Sequence, residues 1–268
     1  MKDDMSIKVS VLIPTYNCGD YIAETIESVL MQSMPGISLT VVDNCSTDNT
    51  QEIVCAYVAR GVRYVRHDSN VGGTRNHNYC LDIADGEYIK LLSADDVLLP
   101  GIIEAQANAL DANPACGVAT CGYIVSDSTL SPISTVSNIP GLTRGAEAIK
   151  ICANKIANVI GNPSSIMLRK NALGNIRFDK DYKWHSDLRL FCDVLRHSDL
   201  INVDINGFLY RRHDLTDSVI GCPVPVRIHD ENAFIRENAG INPIPRLRML
   251  KRYRVKYIKE LLNPTVRV

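Results

Sequence analysis

The chain has 268 residues, 46% of them hydrophobic and 22% charged, a globular composition long enough to bury one large core. Its formal net charge of -1 gives no global attraction for nucleic acid, and no run of about 18 uncharged apolar residues offers a membrane-spanning helix. Nine cysteines, an odd number without a CxxC pair, read as reduced core residues of a cytoplasmic protein, and the polar opening Met1-Lys-Asp-Asp-Met is unlike a secretory leader.

Lys8–Pro14 is a β-branched and apolar run ending on proline, the pattern of a buried parallel strand. Asp20 is placed to cap the next helix, in which Ile22, Ile26, Val29 and Leu30 fall on one face. Leu39–Asp43 predicts a second strand, and the capping types Ser46–Asn49 introduce a helix to about Arg60. Val62–Arg66 predicts a strand, Val71–Ala84 a helix, Glu87–Leu92 a strand, and Pro100–Ala112 a helix with proline in its first turn. This alternation predicts an α/β fold with a doubly wound, mainly parallel sheet flanked by helices. Ligands of such sheets lie outside the carboxyl ends of strands, where Thr15-Tyr-Asn17, Asp43 and Asp95-Asp96 fall.

The second half is less regular. We expect a strand over Gly117–Val125, a mobile loop over the Ser-, Pro- and Thr-rich Ser126–Pro140, a helix over Arg144–Asn154 and a short strand over Ser164–Leu168. A helix over Asp187–Arg196 and a strand over Gly207–Arg212, with His213 at its end, complete this part. After Pro245, Leu247, Leu250, Tyr257, Ile258 and Leu261 recur at helical spacing among eight basic residues, with Glu260 the only acid. Such a helix either packs on the protein with a solvated basic face or lies on an anionic membrane. The expected division is a catalytic domain over 1–220, with halves at 8–112 and 113–220, and a helical extension over 221–268.

Several chemistries are absent. There is no GxxxxGK[ST] phosphate loop, no GxGxxG after the first strand and no GxSxG elbow. What remains is a set of acids near element ends: Asp43, Asp95, Asp96 and Asp187. Adjacent carboxylates after a buried strand suit a divalent ion, whose charge offsets their repulsion.

Val11–Asn17, Val41–Asp48, Asn70–Asn76 and Leu91–Pro100, in this order and spacing, resemble the successive motifs of the family 2 glycosyltransferases with the GT-A fold. The resemblance extends more loosely to Trp184-His-Ser-Asp187 and Tyr210-Arg-Arg-His213. It implies an inverting transfer of a sugar from a nucleoside-diphosphate sugar, a UDP-sugar foremost, to a hydroxyl of a saccharide or lipid-linked saccharide in surface polysaccharide biosynthesis. It further implies nucleotide-sugar contacts at Pro14, Thr15, Tyr16, Asn17, Asp43, Asn70, Arg75, Ala94, Asp95, Asp96 and His213. Asp95 and His213 would hold Mn²⁺ or Mg²⁺, and Asp187 would be the general base. Trp184 and His185 are acceptor-side candidates, and His185 is also the rival base. Three positions depart from the family pattern: Ser93 replaces the first acid of Asp-x-Asp-Asp, Asp43-Asn-Cys-Ser replaces Asp-Asp-Gly-Ser, and Ser186 replaces the glutamate before Asp187. A sugar-phosphate nucleotidyltransferase or a non-catalytic binding module of the same fold are the alternatives; the first would need a Gly-rich basic loop where Pro14-Thr-Tyr-Asn17 stands.

Overall fold

Val9–Thr15 (β1) is buried at every residue, so its side chains serve two faces at once. Val9, Val11 and Ile13 pack against Ile22, Ile26 and Val29 of α1 (Ile22–Leu30) and against α4 (Ile102–Ala112). Leu12 points to the other face, which α3 (Gly73–Ile83), α5 (Gly145–Lys155) and α7 (Ser186–Leu195) cover. This is the three-layer solution for a strand with no solvated face. The computed structural model describes residues 7–155, 157–213 and 222–238, together with the single positions 247, 251 and 255.

The sheet also contains β2 (Ile37–Asp43), β3 (Arg63–Arg66), β4 (Tyr88–Leu91), β5 (Val97–Leu98), β6 (Cys116–Ser126), β7 (Pro132–Val136), β8 (Leu142–Thr143), β9 (Met167–Arg169) and β10 (Asp199–Arg211). The strand order is β3-β2-β1-β4-β9-β6-β10-β5, with β7 on β6 and β8 on β10. The first four strands are parallel, in register Thr15↔Asp43 between β1 and β2. β9 then enters antiparallel to both neighbours, through two residue pairs with β4 and two with β6. Beyond it β6 and β10 run parallel over eight register pairs. Short helices α2 (Thr50–Cys55) and α6 (Lys170–Leu173) and the longer α8 (Val224–Asn238) complete the described elements.

Three expectations are corrected. Ser126–Pro140 is not a loop throughout: β7 folds back on β6, because Asp127 Oδ1 gathers the Thr129 and Ser131 amides into a tight turn and Ile133–Val136 is strand-forming. Asp20 does not cap α1; Tyr21 holds the cap position, and the loop is fixed instead by Asp48 Oδ2 accepting from the Gly19 amide at 3.0 Å. The expected strand at Ser164 starts later, since Asn162 caps a 3₁₀ turn over Pro163–Ser165 before β9 begins. The basic helix expected after Pro245 lies outside the described residues. Among the described residues no helix is long and apolar enough to cross a membrane. All nine cysteines are free thiols.

A lysine amine is buried among the core residues. Lys90 of β4 is 0% exposed, and its Nζ donates to Gln106 Oε1 at 2.9 Å, to the Ser164 carbonyl at 2.9 Å and to the Ile166 carbonyl at 3.5 Å. Burial pushes its ammonium down to about 8. Lys90→Met would strand these acceptors in the core. The expected loss is about 3 kcal/mol of unfolding free energy, measured by urea denaturation, and a loss below about 1 kcal/mol would contradict the network.

Candidate active site

The carboxyl ends of β1 and β2 carry two loops that are laced together. The Asn17 amide donates to Ser46 Oγ at 2.9 Å, and Asn17 Oδ1 accepts from the Thr47 amide at 2.8 Å. Asn17 has φ +51, a left-handed conformation that asparagine tolerates. The Asn44 amide donates to the Thr15 carbonyl at 2.9 Å, so Pro14 and Thr15 continue the β1–β2 ladder into the loops. Tyr16, 45% exposed, stands out from this rim.

Asp43 lies beneath it at 0% exposure. Its Oδ1 accepts from the Ser46 amide at 2.8 Å and from Ser46 Oγ at 2.5 Å, while Oδ2 accepts from the Tyr64 hydroxyl at 2.6 Å. Arg66 Nε stands 3.5 Å from the same oxygen. Direct pairing of Asp43 with a base therefore requires one of these donors to yield. Asn70 is joined to this rim: its Oδ1 accepts from Asn44 Nδ2 at 3.0 Å and from the Gly72 amide at 2.9 Å. Arg75, one turn into α3, is exposed and has no ion pair among the described residues.

After β4 the chain makes a turn over Ser93–Asp96, closed by the Asp96 amide on the Ser93 carbonyl at 3.2 Å. Ala94 is buried, and its carbonyl takes the Thr25 hydroxyl at 2.9 Å. The two acids face different surroundings. Asp95 Oδ2 meets His213 Nε2 at 2.9 Å, both side chains mostly buried. Asp96 is wholly buried; its Oδ2 accepts from Ser164 Oγ at 2.5 Å and its Oδ1 from the Arg211 amide at 3.2 Å. Burial and then the neighbouring Asp95 charge push its carboxyl well above the usual range. Arg211, 2% exposed, clamps the turn from outside, with Nε on the Asp95 carbonyl at 2.9 Å, a hydrogen bond to the Ser128 carbonyl at 2.7 Å and an ion pair with Glu24. Its guanidinium lies 4.9 Å over the Tyr21 ring, which stands 4.5 Å from His213.

Asp187 opens α7. Its Oδ1 accepts from the Leu188 amide at 2.7 Å and its Oδ2 from Asn158 Nδ2 at 3.2 Å. Burial pushes its carboxyl up to about 6. Asp96 and Asp187 are each bonded to the chain stretch between Asn158 and Ser165, Asp96 through Ser164 and Asp187 through Asn158. Trp184 and His185 precede α7 and are held from α8. The carboxylate of Asp230 accepts from the Lys183 amide at 2.8 Å and the Trp184 amide at 2.7 Å, and Arg227 lies 4.2 Å over the Trp184 ring. His185 is 5% exposed, and burial pushes its imidazole down to about 4, so it is neutral at pH 7 with little proton affinity. Among the described residues no group of three His, Cys, Asp or Glu converges on one point; Asp95 and His213 meet as a pair.

Lys90, Asn158, Ser164, Arg211 and Asp230 were not singled out by sequence reasoning. Lys90 left a signal, a lone charge within an apolar strand; Asn158 left none.

The sequence pattern of the family described as Glycosyl transferase family 2 matches residues 10–176. Among curated relatives, TuaG of Bacillus subtilis, a glycosyltransferase named for teichuronic acid biosynthesis, is 28% identical over 70% of this chain and 72% of its own length. WfaP of Escherichia coli, a UDP-Glc:α-D-GlcNAc-diphosphoundecaprenol β-1,3-glucosyltransferase, is 28% identical over 70% of each chain. Among solved structures, S. aureus TarS in complex with UDP-GlcNAc superimposes with a TM-score of 0.68 over 86% of this chain and 71% of that chain, at 18% identity. The chain spans 61% of TarS as solved with UDP. At such identity the likeness establishes the fold, and the family pattern covers more than half of the sequence. The chain therefore belongs to glycosyl transferase family 2 and is a glycosyltransferase of the GT-A fold.

Proposed function

We propose that this protein transfers a sugar, with inversion, from a UDP-sugar to a hydroxyl of a saccharide or lipid-linked saccharide acceptor in cell-surface polysaccharide synthesis. The observation that carries the reading is a pair of carboxyls in contrasting environments: Asp95 against His213, and Asp187, bonded to Asn158 and pushed up to about 6. The UDP-Glc donor and diphosphoundecaprenol-linked acceptor in the name of WfaP, the teichuronic acid biosynthesis in that of TuaG, and the UDP and UDP-GlcNAc held by TarS support the choice of donor and acceptor classes.

The nucleoside lies in the laced rim of Thr15–Asn17 and Asp43, with Asn70 and Arg75 at its edge. The Asp95 carboxylate and His213 imidazole supply one oxygen and one nitrogen donor at a common point, which suits Mn²⁺ or Mg²⁺ with the remaining positions left to substrate oxygens and water. When bound, such an ion offsets the charge that develops on the departing diphosphate. Asp187 takes the proton of the acceptor hydroxyl; the oxygen attacks the anomeric carbon, and the bond from that carbon to the diphosphate oxygen breaks. A carboxylate with its proton affinity raised by burial is a better base at neutral pH than an ordinary aspartate.

The donor assignment is tested by calorimetry with UDP and by UDP release from UDP-sugars. Asp43→Ala should weaken UDP binding by about 1–3 kcal/mol, since it unties Ser46 and Tyr64 as well as the recognition group. Asp95→Ala should abolish release that depends on Mn²⁺ or Mg²⁺; unchanged UDP affinity in the first variant, or full activity in a chelator, contradicts the respective role. For the base, kcat should fall below a limb near pH 6, because the protonated Asp187 cannot accept the hydroxyl proton. Asp187→Asn should lower turnover by about 10²–10⁴-fold with donor affinity kept, and activity within about threefold of the parent would move the base elsewhere.

The basic segment after Pro245 is proposed to bring the enzyme to an anionic membrane surface, where lipid-linked acceptors reside. The full chain should co-sediment with anionic vesicles at low salt and release as salt screens the charges. A variant with Lys251, Arg252, Arg254 and Lys256 changed to glutamine should sediment less; equal sedimentation of both, or none by either, contradicts membrane contact.

A further inference from the structure

Acids on both sides of the proposed transfer are fastened to one short stretch of chain, residues 158–165. At its start Asn158 uses all its hydrogen-bonding capacity. Its Oδ1 accepts from the Ile160 and Gly161 amides at 3.1 Å each, and its Nδ2 donates to the Gly161 carbonyl at 2.7 Å and to Asp187 Oδ2 at 3.2 Å. At its end Ser164 Oγ accepts from the Ser93 amide at 3.1 Å and donates to Asp96 Oδ2 at 2.5 Å. The stretch is pinned from below. Thr120 Oγ1 reaches the Ile160 carbonyl at 2.6 Å, Gln106 Nε2 the Ser165 carbonyl at 2.7 Å, and Lys90 the Ser164 carbonyl at 2.9 Å. Gly161 turns it at φ +134, where a Cβ would stand 2.1 Å from Ser165 Oγ, so the bend admits only glycine.

We propose that Asn158 is the positioning residue for the Asp187 carboxylate, and that the 158–165 stretch fixes the separation between this base and the Asp95–Asp96 turn. The inference rests on the assignment of Asp187 as the base. The side chain that donates to Asp187 is Asn158; its other oxygen is held by the adjacent Leu188 amide. The titratable groups that face it are Tyr123 of β6, Cys152 of α5 and Cys192 of α7, all pushed up by burial and therefore neutral at pH 7. No cation pairs with Asp187 among the described residues, so the Leu188 amide and then the Asn158 side chain orient it and stabilise its charged form, and of the two only Asn158 is a side chain that substitution can remove.

Asn158→Asp separates this role from turn formation. An aspartate still accepts from the Ile160 and Gly161 amides, but it sets a carboxylate against a carboxylate instead of donating. The expected result is the acid limb moved up by about two pH units, so that kcat falls about tenfold at pH 7 and recovers at higher pH. The KM for the UDP-sugar should stay within about twofold. Asn158→Ser, which offers a short acceptor to the turn and falls short of Asp187, should move the limb in the same direction by less. If Asn158→Asp does not fold, the serine variant decides. An unmoved limb and unchanged kcat in the folded variants, while Asp187→Asn abolishes turnover, would overturn the role of Asn158 alone. Retained turnover in Asp187→Asn would overturn the base assignment instead.

Discussion

A lysine ammonium and an aspartate carboxylate are buried in the same layer of this protein without touching each other. A charge removed from water costs several kcal/mol unless paired or well hydrogen-bonded, and here Ser164 mediates between the two. Its carbonyl accepts a hydrogen bond from Lys90 Nζ and its hydroxyl donates one to Asp96 Oδ2. To present both groups at once, Ser164 sits in a 3₁₀ turn rather than a strand, which requires the Asn162 cap, Pro163 at the first position and glycine at 161. The turn that carries Asp95 is thereby fixed on one side, and Arg211 fixes it on the other through the Asp95 carbonyl and the Asp96 carboxylate.

The rim formed by the loops after β1 and β2 follows a related rule. Its two loops hold each other through short polar side chains, Asn17 to Thr47 and Ser46, Asn44 to Asn70, Gly19 to Asp48, rather than through apolar packing. These bonds order the rim before a ligand arrives, so less conformational freedom is lost on binding. Asp43 sits under the rim as the common acceptor, which ties the shape of the loops to the charge of one buried group.

The fold was largely legible because buried parallel strands and amphipathic helices write their period into the sequence; β1 and α1 show this with their alternate and fourth-residue apolar faces. β7 was missed because the Asp127–Ser131 turn and the flanking prolines masked a short β-branched run. The acids were legible as residues at strand ends, and motif spacing ordered them. Their surroundings were not. That Asp96 leans on Ser164, 68 positions away, and Asp187 on Asn158, 29 positions away, are long-range pairings with no local periodicity. His185 shows the same limit: its position suggested a base, but its burial, which lowers its proton affinity, comes from α8 and Phe234 packing.

β9 is the shortest interior strand of the sheet. Only Tyr88↔Arg169 and Ile89↔Leu168 join it to the four parallel strands, and only Val118↔Leu168 and Ala119↔Met167 join it to β6. The backbone ladder thus divides into two broad plates stitched along a seam three residues long, and the family pattern stops at residue 176, just past that seam. A chain built this way can remodel the far plate while leaving the plate of β1 to β4 in register. New loops beyond the seam then demand no new strand order.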